Sequence, residues 1–284
     1  MPEKIMITGS RGFIGRYVCE ELEKRDPKAA IIPVTENAFT ADWDRIMKNE
    51  HPDRLIHLAW RTGAGYSDSH DNLLFLRSSL LLYDAFFANG GKRAVFIGTE
   101  QEYRRQQKPL SEDDPIEPQS LYALCKASLG QCLTEDAVLH KNGFVWARLF
   151  FVYGPGEKDA RLMPSMIRAL LAGEDTEVSW DGYVRDYIYV RDAAQAILAC
   201  LYSNHTGPVN IAGGAETTIG EIAREVSRLI PSNGTIRFRE KVPGAQPDTV
   251  RGDITLLQSL GYRQHYSLAD GLAEEIAGIR QSDR

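Results

Sequence analysis

Short apolar runs alternate with longer amphipathic stretches through the first half of the chain. KIMITG, AAIIPVT, DRLIHLAW, RAVFIGT and FVWARLFFVYG read as strands, because each is a short apolar run bounded by turn-forming or polar residues. Between them, GRYVCEELEKR, DWDRIMKNE, DNLLFLRSSLLLYDAFFANGG and LYALCKASLGQCLTEDAVLHKNG place their apolar residues at helical spacing. Strands that are apolar on both faces and alternate with helices predict a parallel sheet covered on both sides. The expected fold is therefore α/β, a Rossmann-type doubly wound sheet.

The rhythm changes after YGPGEKDARLMP. A helix SMIRALLAG, a short strand PVNIAG, a helix TIGEIAREVSRLI and a last helix near Leu268–Arg280 follow. This pattern predicts a smaller α/β lobe toward the C-terminus, built from about 155–180 and 214–284. Residues 1–154, rejoined by about 181–213, form the larger domain.

With 43% hydrophobic and 25% charged residues the chain has a globular balance, and its net charge of −6 argues against a nucleic-acid or polybasic membrane surface. It has no run of about 18 apolar residues, so no membrane span is predicted. MPEK runs directly into IMITG, too short an apolar stretch for a signal peptide. Cys19, Cys125, Cys132 and Cys200 are widely spaced and form no metal-ligand pattern with histidine. The expectation is a cytoplasmic protein with reduced thiols and no metal.

TGSRGFIG puts Gly9, Gly12 and Gly15 directly after the first strand and at the start of a helix. Glycine lets the backbone turn sharply and approach a pyrophosphate, and the helix N-terminus offers free N–H groups to it. A carboxylate about 20 residues past the glycines would select NAD through the ribose 2′-hydroxyl. Thr35 stands there, with Glu36 next. Arg11, inside the loop, is suited to pair with a 2′-phosphate. NADP(H) is therefore the expected cofactor, with NAD(H) the alternative should Glu36 turn toward the ribose.

In SLYALCKASLG, Tyr122 and Lys126 are four apart on one helical face. A nearby ammonium favours the phenolate and would lower the tyrosine pKa toward working pH. At this point the sequence resembles the extended short-chain dehydrogenase/reductase family of nucleotide-sugar epimerases, dehydratases and reductases. The residues carrying the resemblance are TGSRGFIG, HLAW at 57–60, GTEQEY at 98–103, Tyr122 and Lys126, RLFFVYGPG at 148–156 and VRDYIYVRD at 184–192. The tail PGAQPDTVRGDITLLQSLGYRQHYSLADGLAEEI also matches. The resemblance implies that Tyr122 exchanges a proton with a sugar oxygen, that Thr99 orients that oxygen, and that Lys126 also holds the nicotinamide ribose. It implies that Phe13, Ile14, Leu58 and Ala59 join the glycine loop at the cofactor. Glu100, Gln101 and Arg185 would meet the nucleotide-sugar substrate. A homodimer is implied too, through the Leu-rich helix and the Tyr/Lys helix. His57, in an apolar strand end, reads as a core histidine.

The chain departs from the family pattern in three places. The dehydratases carry Thr-Asp-Glu where this chain has Thr99-Glu100-Gln101, and an amide cannot remove a proton from carbon. Val242 stands where a second diphosphate-binding arginine is expected, with Lys241 and Arg239 nearby. The segment before DRLIHLAW lacks an extra strand–helix unit. These features point to a reductase of a nucleotide-activated 4-keto-6-deoxy sugar, with hydride delivered to C4. The alternatives are an NAD-dependent 4-epimerase or dehydratase, and a non-catalytic dinucleotide-binding regulator.

Overall fold

The computed structural model of the chain describes residues 2–242 and 249–282. The expected strands become β1 (Lys4–Thr8), β2 (Ala30–Val34), β3 (Arg54–His57), β4 (Arg93–Thr99) and β5 (Gly143–Leu149). They alternate with helices α1 (Phe13–Arg25), α2 (Trp43–Glu50), α3 (Asp71–Ala88) and α4 (Leu121–His140). After them come β6 (Phe151–Tyr153), α5 (Leu162–Ala172), β7 (Thr176–Val178), β8 (Val184–Arg185), β9 (Tyr187–Tyr189), α6 (Val190–Tyr202) and β10 (Gly207–Ile211). The chain continues through α7 (Ile219–Leu229), β11 (Ile236–Phe238), β12 (Thr249–Val250), α8 (Thr255–Ser259) and α9 (Leu268–Ser282).

Six strands form one parallel sheet in the order β10-β5-β4-β3-β1-β2. Side chains alternate across it, which explains the unbroken apolar runs. Ile5 and Ile7 of β1 face a core built with α1 and α6, while Met6 faces a second core built with α2, α3 and α4. Pro33 is tolerated because β2 is the sheet edge, where a missing N–H costs no ladder bond.

FVWARLFFVYG was expected as one strand and is two. After Leu149 the Phe150 N–H donates to the Ile211 carbonyl, and β6 then pairs with β9 instead of staying in the central sheet. The later strands of two or three residues, β7 to β9, β11 and β12, pair in twos. They are too short to show a period in sequence. Helices α5, α7 and α9 pack on one another, and Pro164 sits in the first turn of α5, where no backbone donor is needed. No described helix is long and apolar enough to cross a membrane.

Candidate active site

The carboxyl ends of the central strands open into a cleft of about 470 Å³. At one end lies the glycine loop. Gly9 has φ +71° and abuts the backbone of Ala59, and a Cβ on Gly15 would lie 2.1 Å from the Gly9 carbonyl oxygen. Only glycine permits this packing of α1 against β1. Gly12 caps α1 without a side-chain hydrogen bond, and the first turn of α1 carries no acid. Unclaimed N–H groups and a positive helix end therefore face the cleft, the arrangement a pyrophosphate requires. Phe13, Ile14 and Leu58 line this end with the glycines.

At the other end the sequence-predicted catalytic residues meet. Ser120 accepts a hydrogen bond from the Ala123 N–H at 3.1 Å and so starts α4. That cap places Tyr122 and Lys126 on adjacent turns facing β4. Thr99 ends β4 and caps the turn that follows, and Tyr122 is within hydrogen-bonding reach of its side chain. Tyr122 and Lys126 are both buried. The electrostatics differ from the sequence expectation. Burial, with the negative influence of Tyr66, Glu102 and Glu100, pushes the Tyr122 pKa up. The Lys126 ammonium instead donates to the Ile97 carbonyl at 2.6 Å and stands 3.9 Å over the Trp60 ring. Its own pKa is lowered to about 7 by burial.

Of the predicted substrate residues, Glu100 and Gln101 line the cleft. Glu100 is buried and ion-paired to Arg105 at 2.6 Å. Gln101 donates to the Tyr66 hydroxyl at 3.1 Å, and the Tyr66 ring meets Tyr122 edge-on at 4.9 Å. Arg185 does not line the cleft; it stacks 4.9 Å over Tyr183, within electrostatic reach of Glu100 and Arg105. Its neighbour Asp186 accepts from the N–H groups of Gly213 and Gly252, and Asp192 from those of His265 and Tyr266. Arg239 pairs with Glu177, and Lys241 stacks on Trp180 at 4.5 Å. The PGAQPD stretch that follows Val242 lies outside the described residues.

Arg11, Thr35 and Ala59 are not part of the cleft wall. Arg11 is exposed in its turn. The Glu36 side chain is exposed. It folds back to accept from the Thr35 N–H at 3.1 Å, at the end of β2. His57 is buried, bridging the Thr8 hydroxyl at 2.7 Å and the Ser79 hydroxyl at 2.8 Å, and burial lowers its pKa to about 3.

Sequence reasoning missed Trp60, Tyr66, Arg105 and above all Glu102. The Glu102 carboxylate, wholly buried, accepts from the Thr99 N–H at 2.7 Å, the Trp146 indole at 3.0 Å and the Arg148 guanidinium at 2.9 Å. It fixes Thr99 from behind. GTEQEY displayed the residue, but not the partner on β5.

A family model described as the NAD dependent epimerase/dehydratase family matches residues 5–212. A UDP-N-acetyl-alpha-D-glucosaminuronate decarboxylase of Bacillus cytotoxicus is 27% identical, with 99% of each chain covered. An uncharacterized UDP-glucose epimerase of Bacillus subtilis is 28% identical, with 96% of this chain and 97% of that one covered. Among solved structures, a UDP-glucuronic acid 4-epimerase of Bacillus cereus in complex with UDP-glucuronic acid and NAD superposes with a TM-score of 0.83. It is 25% identical and covers 98% of this chain and 99% of that one. With the glycine cradle and the Thr99, Tyr122 and Lys126 cluster in one cleft, these matches place the chain in the NAD-dependent epimerase/dehydratase family of extended short-chain dehydrogenase/reductase enzymes.

Proposed function

We propose that the protein is an NAD-dependent 4-epimerase of a UDP-sugar. The observation that carries this reading is the meeting of Tyr122, Thr99 and Lys126 at the far end of a cleft whose near end is a pyrophosphate cradle. NAD bound there would accept hydride from C4 of the sugar and return it. The remaining work falls to the chain. Thr99 orients the C4 oxygen; Tyr122, as the phenolate, takes the C4 hydroxyl proton as hydride leaves and gives it back as hydride returns, and the positive charge of Lys126 favours that phenolate. The buried Glu100, with the half-buried Arg105 and Arg185, flanks the sugar end. Gln101 offers no second carboxylate, which argues against elimination of water.

This reading replaces the expected 4-ketosugar reductase. The Glu36 carboxylate at the end of β2 disfavours a 2′-phosphate, and Arg11 does not reach the cleft wall. The preference of NAD over NADP should narrow in Glu36→Ala and stay unchanged in Arg11→Ala. A native preference for NADP would return weight to the reductase. The division into a cofactor domain (1–154 with about 181–213) and a substrate lobe (about 155–180 with 214–284) belongs to the same proposal. So does a homodimer. Leu73, Leu80 and Leu81 of α3 and Leu124, Val138 and Leu139 of α4 leave an exposed apolar face on two packed helices. Sedimentation that gives a monomer at micromolar concentration would remove the dimer.

The functional test is incubation of the NAD-loaded protein with UDP-glucose, UDP-N-acetylglucosamine and UDP-glucuronic acid, with products read by NMR. The 4-epimer of one of them is expected, without consumption of cofactor. Release of carbon dioxide from the uronic acid, or product formed only with NADPH, would contradict the reading.

A further inference from the structure

Lys126 is a cation in an apolar place. It is buried, and among the described residues no carboxylate lies within ion-pair distance of its ammonium. The groups facing it are His57 from β3, Tyr122 on its own helix and Glu102 from the turn after β4. His57 is held neutral, and Glu102 is engaged by Arg148 at 2.9 Å. An ammonium in such a site is costly unless something other than water stabilises its charge.

Beyond the Ile97 carbonyl, which accepts one of its N–H bonds at 2.6 Å, the nearest candidate is an indole. Trp60 presents its face to the ammonium at 3.9 Å, and Trp146 lies further off at 5.8 Å. Trp60 is not free to turn away. Its N–H donates to Asn72 at 2.9 Å, and its ring stacks on Phe75 at 5.2 Å with an interplanar angle of 23°. Asn72 is itself buried and anchored to the carbonyls of Tyr66 and Ser69. The ring also lines the cleft and meets Tyr122 edge-on at 6.2 Å.

We propose that Trp60 is the positioning residue for Lys126. Its indole face takes the place of a counter-ion, holding the ammonium at the catalytic end of the cleft before ligand arrives. Indole is the strongest of the aromatic cation acceptors, and the attraction grows when the pair is desolvated. The inference builds on the proposed role of Lys126, yet its test reads the lysine itself and needs no substrate.

The experiment is a pH titration of the whole protein labelled with ¹³Cε-lysine, followed by NMR. The Lys126 resonance is identified by its loss in Lys126→Met. In Trp60→Leu the titration midpoint of Lys126 should fall by about one pH unit. Trp60→Phe, which restores a weaker ring face, should recover part of the shift. Affinity for NAD alone should fall in parallel. An unchanged Lys126 midpoint in a folded Trp60→Leu would overturn the proposal and leave Trp60 as packing. Should Trp60→Leu not fold, Trp60→Phe decides. A lowered midpoint there supports the role, and an unchanged one overturns it. A protein that proves not to be an epimerase would leave this result standing.

Discussion

Tyr122 owes its position to a cap two residues earlier and its raised pKa to burial. Ser120 starts the helix, Thr99 lies across from it, and the acids Glu100 and Glu102 stand close enough to oppose a phenolate. Replacing Tyr122 with Phe removes the exchangeable proton while keeping the ring contacts with Trp60 and Tyr66. Turnover should fall about a hundredfold or more, with NAD affinity nearly unchanged, as judged by steady-state kinetics and a direct binding titration. Near-normal turnover would remove Tyr122 from the mechanism. On the proposal that its ammonium serves the ribose as well as the phenol, Lys126→Met should lower both turnover and NAD affinity; intact NAD affinity would deny the ribose contact.

Two buried acids show how elements are tied together. Glu102 joins the end of β4 to β5 through Trp146 and Arg148, and Arg148 also donates to the Tyr103 hydroxyl at 2.9 Å. Removing one partner strands a charge in the core. Arg148→Met should therefore cost about 3–5 kcal/mol in a denaturant titration. A cost below about 1 kcal/mol would mean that water reaches the pair. Glu275 of α9 is the opposite case. It is wholly buried, neither carboxylate oxygen has a hydrogen-bond partner among the described residues, and burial followed by the charge of Glu157 raises its pKa to about 8. The folded chain thus keeps a proton that the unfolded chain loses above its ordinary value of 4.5. Stability should decline as pH rises from that value to about 8. Glu275→Gln removes the liability. It should be more stable than the native protein by about 3 kcal/mol at pH 7 and equal to it near pH 4. Parallel stability curves for the two proteins would show that Glu275 is solvated after all.

Across the whole molecule, what was legible in the sequence was local or periodic. The two-faced strands announced a covered parallel sheet, the glycines a turn that admits no Cβ, and the spacing of Tyr122 and Lys126 a shared helix face. What was not legible depends on residues that meet only after folding. Glu102 and Arg148 are 46 positions apart and become partners because β4 and β5 pair. Trp60 gains its cation only when α4 lies across β3 and β4. How the exposed Glu36 side chain lies at its strand end is likewise something that no pattern encodes. In the proposed reaction, hydride leaves C4 of a UDP-sugar and returns to the same carbon. It is tested most directly by giving the NAD-loaded protein a set of UDP-sugars deuterated at C4 and reading the product by NMR. The expected product is the 4-epimer of one of them, with deuterium retained at C4 and no net change in cofactor. Loss of the label to solvent, a reduced sugar formed at the expense of NADPH, or no epimer from any of them would contradict it.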